Sequence, residues 1–214
     1  TTDGGLTWNQ KIANNNYLRD IKFVNQSTGF AVGLFGKILK TINGGENWTV
    51  ITSPTSNHLT ALYCVDENNL FISGDDVVLK STNGGASWGI SMLGSNINVN
   101  AMTFSSSSKG FVVGPSGDYF KTTNSGVNWN SGLVGLSGGL NKIYFPSIDT
   151  GYVAGDWGLV GKTTNGGLNW TVQSTGASQI IRSIHFPTNN TGYFVGNFGT
   201  AYRTTNGGLN WVNL

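Results

Sequence analysis

Ten acidic residues are spread over 214 positions, and four of them, Asp75, Asp76, Asp118 and Asp156, fall in or beside short turns that recur along the chain. Two carboxyl groups facing each other across a cleft, Asp75 with Asp156 for example, would meet the need of glycosidic hydrolysis for one acid and one base or nucleophile. The remaining acids offer less: Asp3, Glu46 and Glu67 sit in turns or loops away from any expected channel mouth. His58 and His185 have no Cys or acid at the spacing of a metal site or a nucleophilic triad. Binding chemistry is better provided. Arg19 and Arg182 fill one repeat slot, where other units have Thr60, Asn100 and Asn141, and the recurring turns also hold Phe35, Trp157 and Phe198. Aromatic rings at turn tips stack on sugar rings, anchor a partner, or lie against the neighbouring unit. Catalysis is therefore not expected, and Arg19, Phe35, Asp75, Asp76, Asp156, Trp157, Arg182 and Phe198 are the candidate binding residues.

The elements that must position these residues announce themselves by repetition. An eight-residue phrase occurs six times: TTDGGLTW ending at Trp8, TINGGENW at Trp48, STNGGASW at Trp88, TTNSGVNW at Trp129, and TTNGGLNW at both Trp170 and Trp211. Successive tryptophans are 40, 40, 41, 41 and 41 residues apart. Five units, 9–48, 49–88, 89–129, 130–170 and 171–211, thus follow a partial one at 1–8. Each unit reads as an apolar alternating run, a polar loop, a Gly-aromatic run, a G-x-x-G turn, a third run, and the phrase. Short runs rich in Ile, Val, Phe, Tyr and Leu between Gly, Asn, Ser and Thr clusters are strand signals. The residues after each Trp supply a fourth strand.

A four-stranded sheet of about 40 residues cannot bury both faces alone, and a period of that length marks a β-propeller with blades around a channel. A straight solenoid is the less favoured stacking, because twisted sheets wedge apart. The expected fold is all-β: five complete antiparallel blades plus an extra N-terminal hairpin at 1–12. In the phrase, Asn-Gly-Gly supplies the positive φ values of a tight turn, and Trp pegs the turn into the blade with its indole N–H on a nearby carbonyl. Asp3, Asn43, Asn83, Asn124, Asn165 and Asn206, with Trp8, Trp48, Trp88, Trp129, Trp170 and Trp211, are accordingly structural.

The phrase T-x-[DN]-G-G-x-x-W resembles the Asp-box, or BNR motif, of sialidases, xyloglucanases and sortilin-type receptors. The whole unit, L-x-x-I-x-F then G-[FY]-x-V-G-x-x-G then K-T-x-N-G-G-x-x-W, is more similar to the propeller family of the photosystem II stability and assembly factor. Closely similar runs fill secreted bacterial surface proteins. The resemblance covers the whole chain and implies the propeller, while such families differ in activity. Sialidase-like catalysis would require an arginine cluster, yet the chain has only Arg19, Arg182 and Arg203, and Arg203 sits just before a box. In the assembly-factor family an arginine-rich patch on the propeller face is associated with partner binding; here Arg19 and Arg182 match it in two units.

Composition sets the remaining bounds. Charged residues are only 10% of the chain against 32 glycines, far from the roughly 25% charge of ordinary domains. Together with abundant Asn, Ser and Thr, this suggests an extracellular or cell-surface module, with periplasm or thylakoid lumen as alternatives. No apolar run approaches the roughly 20 residues of a transmembrane helix. The single Cys64 permits no internal disulfide and reads as inert strand packing. Only the first box has an acid, Asp3, in the slot that Asn fills in the others, whereas a hard cation needs several carboxylates, so neither metal nor cofactor is expected. Lys40, Lys80, Lys121, Lys162 and Arg203 share the slot before the box. They read as a solvated ring, one per blade, and not as a nucleic-acid stripe. The expected partner is a protein or glycan on the propeller face, with self-association through the N-terminal hairpin as a further option. A segment of a larger propeller is favoured over a closed five-bladed ring.

Overall fold

The computed structural model describes residues 1, 3–11, 17–132 and 134–214. Among these the alternating runs form five sheets, each of four antiparallel strands taken consecutively from the chain. Blade 1 contains β1 (Leu18–Phe23), β2 (Gly29–Gly33), β3 (Ile38–Thr41) and β4 (Thr49–Ile51). Blade 2 contains β5 (Leu59–Cys64), β6 (Leu70–Gly74), β7 (Val77–Ser81) and β8 (Gly89–Met92). Blade 3 is built from β9 (Ala101–Phe104), β10 (Gly110–Val113), β11 (Tyr119–Thr122) and β12 (Asn130–Ser131). Blade 4 follows with β13 (Leu140–Tyr144), β14 (Gly151–Gly155), β15 (Val160–Thr163) and β16 (Thr171–Gln173). Blade 5 ends the succession with β17 (Ile181–His185), β18 (Gly192–Gly196), β19 (Ala201–Thr204) and β20 (Val212–Asn213). The first box forms its turn, with Asp3 accepting from the Thr1 and Thr7 hydroxyls, but the described residues 1 and 3–11 form no strand and Trp8 stays exposed. Ile12, the far end of the expected hairpin, lies outside the described residues.

Hydrophobic burial between successive blades holds the succession together. Phe71 and Val78 of blade 2 pack with Met102, Phe104, Val112 and Phe120 of blade 3. Phe111, Val113 and Tyr119 of blade 3 meet Leu140, Ile143 and Val153 of blade 4. The Phe closing the first run and the Gly opening the second strand are one device: the rings of Phe104, Phe145 and Phe186 occupy the space that a Cβ on Gly110, Gly151 or Gly192 would need.

Inside each complete box one acceptor oxygen organises the turn. The hydroxyls of Thr41, Ser81, Thr122, Thr163 and Thr204 are almost wholly buried, and each donates to the Asn side-chain oxygen two residues on. Each also accepts the N–H of the second box Gly, as in Gly167 N to Thr163 Oγ1 at 3.0 Å. The Asn oxygen in turn accepts a backbone N–H four residues later, as from Asn169 to Asn165 Oδ1 at 3.0 Å. The turn itself uses only the acceptor oxygen, so Asp and Asn both serve in this slot, and Asn83 adds a donation from Nδ2 to Ser87 Oγ at 2.8 Å.

The tryptophan peg needs a correction. Trp8 and Trp48 donate to the carbonyls of Gly5 and Gly45 at 3.0 and 3.1 Å, but the buried indole nitrogens of Trp88, Trp129, Trp170 and Trp211 have no acceptor among the described residues. In those four boxes a preceding blade presses Ile51, Phe71, Phe111 or Tyr152 onto the second box position. Apolar packing, not a hydrogen bond, fixes these indoles.

The lysine slot is corrected more sharply. The four lysines are half-buried clasps between blades, not a solvated ring. Lys40 Nζ donates to the Gly84 carbonyl, Lys80 to Ser125, Lys121 to Gly166 and Lys162 to Gly207, over 2.6–3.2 Å, always the first box position after Asn in the next blade. Each ammonium also lies 5.3–5.8 Å from the ring centre of Phe30, Phe71, Phe111 or Tyr152. Burial holds Lys121 and Lys162 below the ordinary lysine range. Replacing Lys162 by Met keeps the stem and removes the donor, and should cost about 1–2 kcal/mol in chemical denaturation. Arg203→Met, in the same slot but exposed, should stay within about 0.5 kcal/mol of the parent.

Candidate functional site at the channel mouth

The slot of Arg19 and Arg182 owes its position to a backbone irregularity. In blades 1, 2, 4 and 5 the pairing of first and second strands shifts by one residue, and the extra residues are Arg19, Thr60, Asn141 and Arg182. A bulge releases its residue from the ladder and re-aims the side chain. In every blade the backbone ahead of the first strand passes close to the Gly that closes the second run, in blade 3 without a register shift. A Cβ on Gly33, Gly74, Gly114, Gly155 or Gly196 would meet the carbonyl oxygen of Tyr17, His58, Asn98, Gly139 or Ile180.

The re-aimed side chains face two connected cavities. A mouth of about 490 Å³ is lined by Arg19, Leu34, His58, Thr60, Asp75 and Pro115, among others. A bore of about 320 Å³ draws on all five first strands. Four cations line the bore, Arg19, Lys22, Lys142 and Arg182, against the single acid Asp20 among the described residues. Arg182 Nε donates to Asn197 Oδ1 at 3.0 Å. Asn100 and Asn141, in the same slot, reach the carbonyls of Leu140 and Ile181 in the following blades. Asp20 Oδ2 accepts the Leu62 N–H at 2.9 Å, tying the inner edge of blade 1 to blade 2. Burial holds the Lys142 ammonium below the ordinary range, with Lys22 adding repulsion and Asp20 opposing both. Burial likewise pushes the nearby Cys64 thiol up to about 12, which disfavours the reactive thiolate.

Lys22 and Lys142 escaped the sequence reading because neither occupies the Arg slot. Period-2 alternation alone would put residues one and three beyond the slot on the opposite face; the bulge brings them beside it, Asp20 and Lys22 in blade 1, Lys142 and Tyr144 in blade 4.

From the turns the mouth takes Leu34, Asp75 and Pro115, whereas the three aromatic turn residues line neither mouth nor bore. Phe35, Trp157 and Phe198 are 70%, 79% and 90% exposed and stand at φ of 57°, 59° and 54°. That left-handed region costs a non-glycine residue roughly 1–2 kcal/mol. Phe35 leans edge-on against His58, whose Nδ1 accepts the Phe35 N–H at 3.2 Å; Trp157 and Phe198 project.

The acids of this face are placed differently from one another. Asp156 accepts from Gly139 N at 3.2 Å and Asn141 Nδ2 at 3.3 Å, and Asp76 accepts from Ile97 N at 2.7 Å. Asp75 borders the mouth with its carboxyl raised by partial burial, His58 acting against the shift. Asp118 is raised for the same first reason, and one of its oxygens is buried without a partner among the described residues. The described His, Cys, Asp and Glu residues form no group of three or more able to hold a metal ion.

With this geometry established, comparisons place the chain. The family model described as photosynthesis system II assembly factor YCF48 matches residues 5–97 and 90–214. Among solved structures, YCF48 from Cyanidioschyzon merolae is similar with a TM-score of 0.72 and 17% identity, over 95% of this chain and 72% of that one. A structure of YCF48 bound to D1 peptide gives 0.53 and 16%, over 97% and 85%. An ancestral GH74 enzyme gives 0.76 and 19%, over 93% of this chain but 31% of its own. Comparison with curated proteins gives no match.

Proposed function

We propose, for a chain that belongs to the photosynthesis system II assembly factor YCF48 family, that its channel mouth is a non-catalytic docking site for an extended, acidic protein segment. The carrying observation is the bore in which Arg19, Lys22, Lys142 and Arg182 outnumber Asp20. Cations in a walled cleft of low dielectric concentrate their field on an incoming carboxylate. Arginine adds a planar fork that fits it bidentately. The solved complex of YCF48 with D1 peptide supports a peptide as the kind of ligand.

A non-enzymatic reading also suits the acids. Asp156 and Asp76 are tied to backbone N–H groups that hold loops, so a hydrolytic pair of Asp75 with Asp156 would have to break a structural contact to shuttle a proton. The low charge of the chain supports an address outside the cytoplasm, and among the described residues no helix is long and apolar enough to cross a membrane.

Fluorescence anisotropy with labelled 15-residue peptides tests the reading. An Asp- and Glu-rich peptide should bind, weakening as salt rises, while its Lys-rich counterpart should not. The double variant Arg19→Ala, Arg182→Ala should bind at least about tenfold more weakly, about 1.4 kcal/mol. Equal binding of both peptides, or binding indifferent to the double variant, would sink it. The projecting Trp157 and Phe198 favour a second reading, stacking on sugar rings. A glycan array on which binding appears and vanishes with Trp157→Ala would select that reading instead.

A further inference from the structure

Two aromatic rings beside the channel mouth are held where the fold does not require a ring. Phe35 and Trp157 fill one turn position, between the second and third strands, in blades 1 and 4. They stand at φ of 57° and 59°, in the region where a bulky residue is strained and glycine is not. Phe198 repeats the conformation in blade 5, at φ of 54°.

The conformation itself is imposed from both sides. Leu34 N–H donates to the Tyr17 carbonyl at 3.0 Å, and Gly36 N–H to that of Asn57 at 2.8 Å. Asp156 and Gly158 repeat the pair on the carbonyls of Gly139 and Gln179, at 3.0 and 2.8 Å. Each turn is thus pinned to the entry of its own first strand and to that of the following blade, which over-determines the left-handed residue between them. Glycine at that residue would leave all of these bonds in place and carry no strain, so the ring is not what holds the turn.

Nor do the rings fill a core. With a further blade packed after each of them, Phe35 and Trp157 remain 70% and 79% exposed. Both turns are nevertheless continuous with the cationic site. Leu34 lines the mouth, and the Phe35 N–H and ring edge meet His58, which lines it too. Asp156 holds the side chain of Asn141, a lining residue of the bore, at 3.3 Å. Cations inside and exposed rings outside suit different parts of one ligand. Carboxylates are drawn to the bore, while apolar side chains bury against the rings, the contact in which aromatic residues carry binding energy.

We infer that the segment docking at the mouth is acidic at its centre and apolar at its ends, and that Phe35 and Trp157 read the apolar ends. This rests on the acidic docking site proposed above and adds the second feature its ligand must carry. The pinned turn fixes the base of each ring in advance, so less freedom is lost when a ligand covers it.

Two labelled peptides of equal length test the inference by anisotropy, sharing an Asp- and Glu-rich centre and ending on both sides in Leu or in Ser. The Leu-ended peptide should bind the parent at least about tenfold more tightly than the Ser-ended one. In the double variant Phe35→Gly, Trp157→Gly that gain should vanish, while the Ser-ended peptide binds as it does to the parent. Trp157→Phe, which keeps a ring, should retain most of the gain. Circular dichroism should show the double variant folded, because glycine accepts the left-handed turn. A Ser-ended peptide that does not bind overturns the acidic reading and this inference with it. Ser-ended binding with no gain from Leu, or a gain that survives in the double variant, overturns the inference alone. A glycan array that loses its signal in the double variant while the Leu gain persists gives the rings to sugar and overturns it as well.

Discussion

Phe111→Ala should lower the stability of this protein by about 3–5 kcal/mol, the range for deleting a buried aromatic ring. Phe111 is fully buried in β10 and lies parallel to Phe145 at 4.4 Å between ring centres, tilted by 6°. Tyr119 flanks it at 6.0 Å, and Lys121 stands 5.8 Å from its centre. Its edge also presses on Gly167 in the box of blade 4. One truncation therefore thins the apolar contact between blades 3 and 4, removes the face beneath a clasping ammonium, and frees the box that the ring supports. Among the described residues the buried clusters join successive blades, so stability is approximately a sum over interfaces, as in repeat proteins generally. Urea denaturation followed by tryptophan fluorescence should show a lower midpoint and a broadened or split transition, as blades 1–3 and 4–5 uncouple. A single sharp transition at the parent's midpoint would contradict the interface account. Phe198→Ala serves as the control: an exposed ring in a left-handed conformation should cost nothing to remove.

The same interface explains how far the sequence could be read. The spacing of the tryptophans, the alternating runs and the Asn-Gly turns report local geometry, which each unit repeats, so blade architecture was legible without coordinates. What crosses from one blade to the next was not. Lys121 in an alternating strand looks like any solvated surface lysine, because nothing nearby in sequence shows that Gly166, 45 residues on, will offer it a carbonyl. The sequence around Trp170 suggests a carbonyl partner for a comparable reason: the pressure of Phe111 on its turn comes from another blade.

At the candidate site the division runs the same way. Arg19 and Arg182 could be matched because they share one slot. Lys22 and Lys142 sit in other slots of the first strand and meet only when the strands gather round the bore. The bulge that frees Arg19 is invisible in sequence, since an unpaired residue looks like its neighbours. Its nearest trace is the Gly that closes the second run, which composition alone assigns to a turn and which blade 3 also has, as Gly114, without a register shift.

That trace supplies the second large effect, Gly155→Ala. Gly155 has φ of −166°, an extended value open to any residue, so conformational freedom is not what the position requires. What it requires is room: a Cβ there would strike the Gly139 carbonyl and crowd the Leu140 Cα, both backbone atoms that cannot rotate away. Overpacking a core costs about 1–3 kcal/mol when side chains can yield, and here the strand itself must move, so the loss should exceed that range. Gly176→Ala is the matched comparison. Gly176 has φ of +72° with nothing near its missing Cβ, so its cost should be only the roughly 1–2 kcal/mol of left-handed strain. Shifting Gly139 would also pull its N–H from Asp156 and disturb the Asn141 side chain that Asp156 holds, at the bulge shared with the Arg slot. Gly155→Ala should therefore weaken acidic-peptide binding per folded molecule, while Gly176→Ala leaves it unchanged. Equal stability losses in the two variants, or intact binding by folded Gly155→Ala, would separate the bulge from the site. The opposite result would show that the glycine closing the second strand shapes both the blade and its mouth.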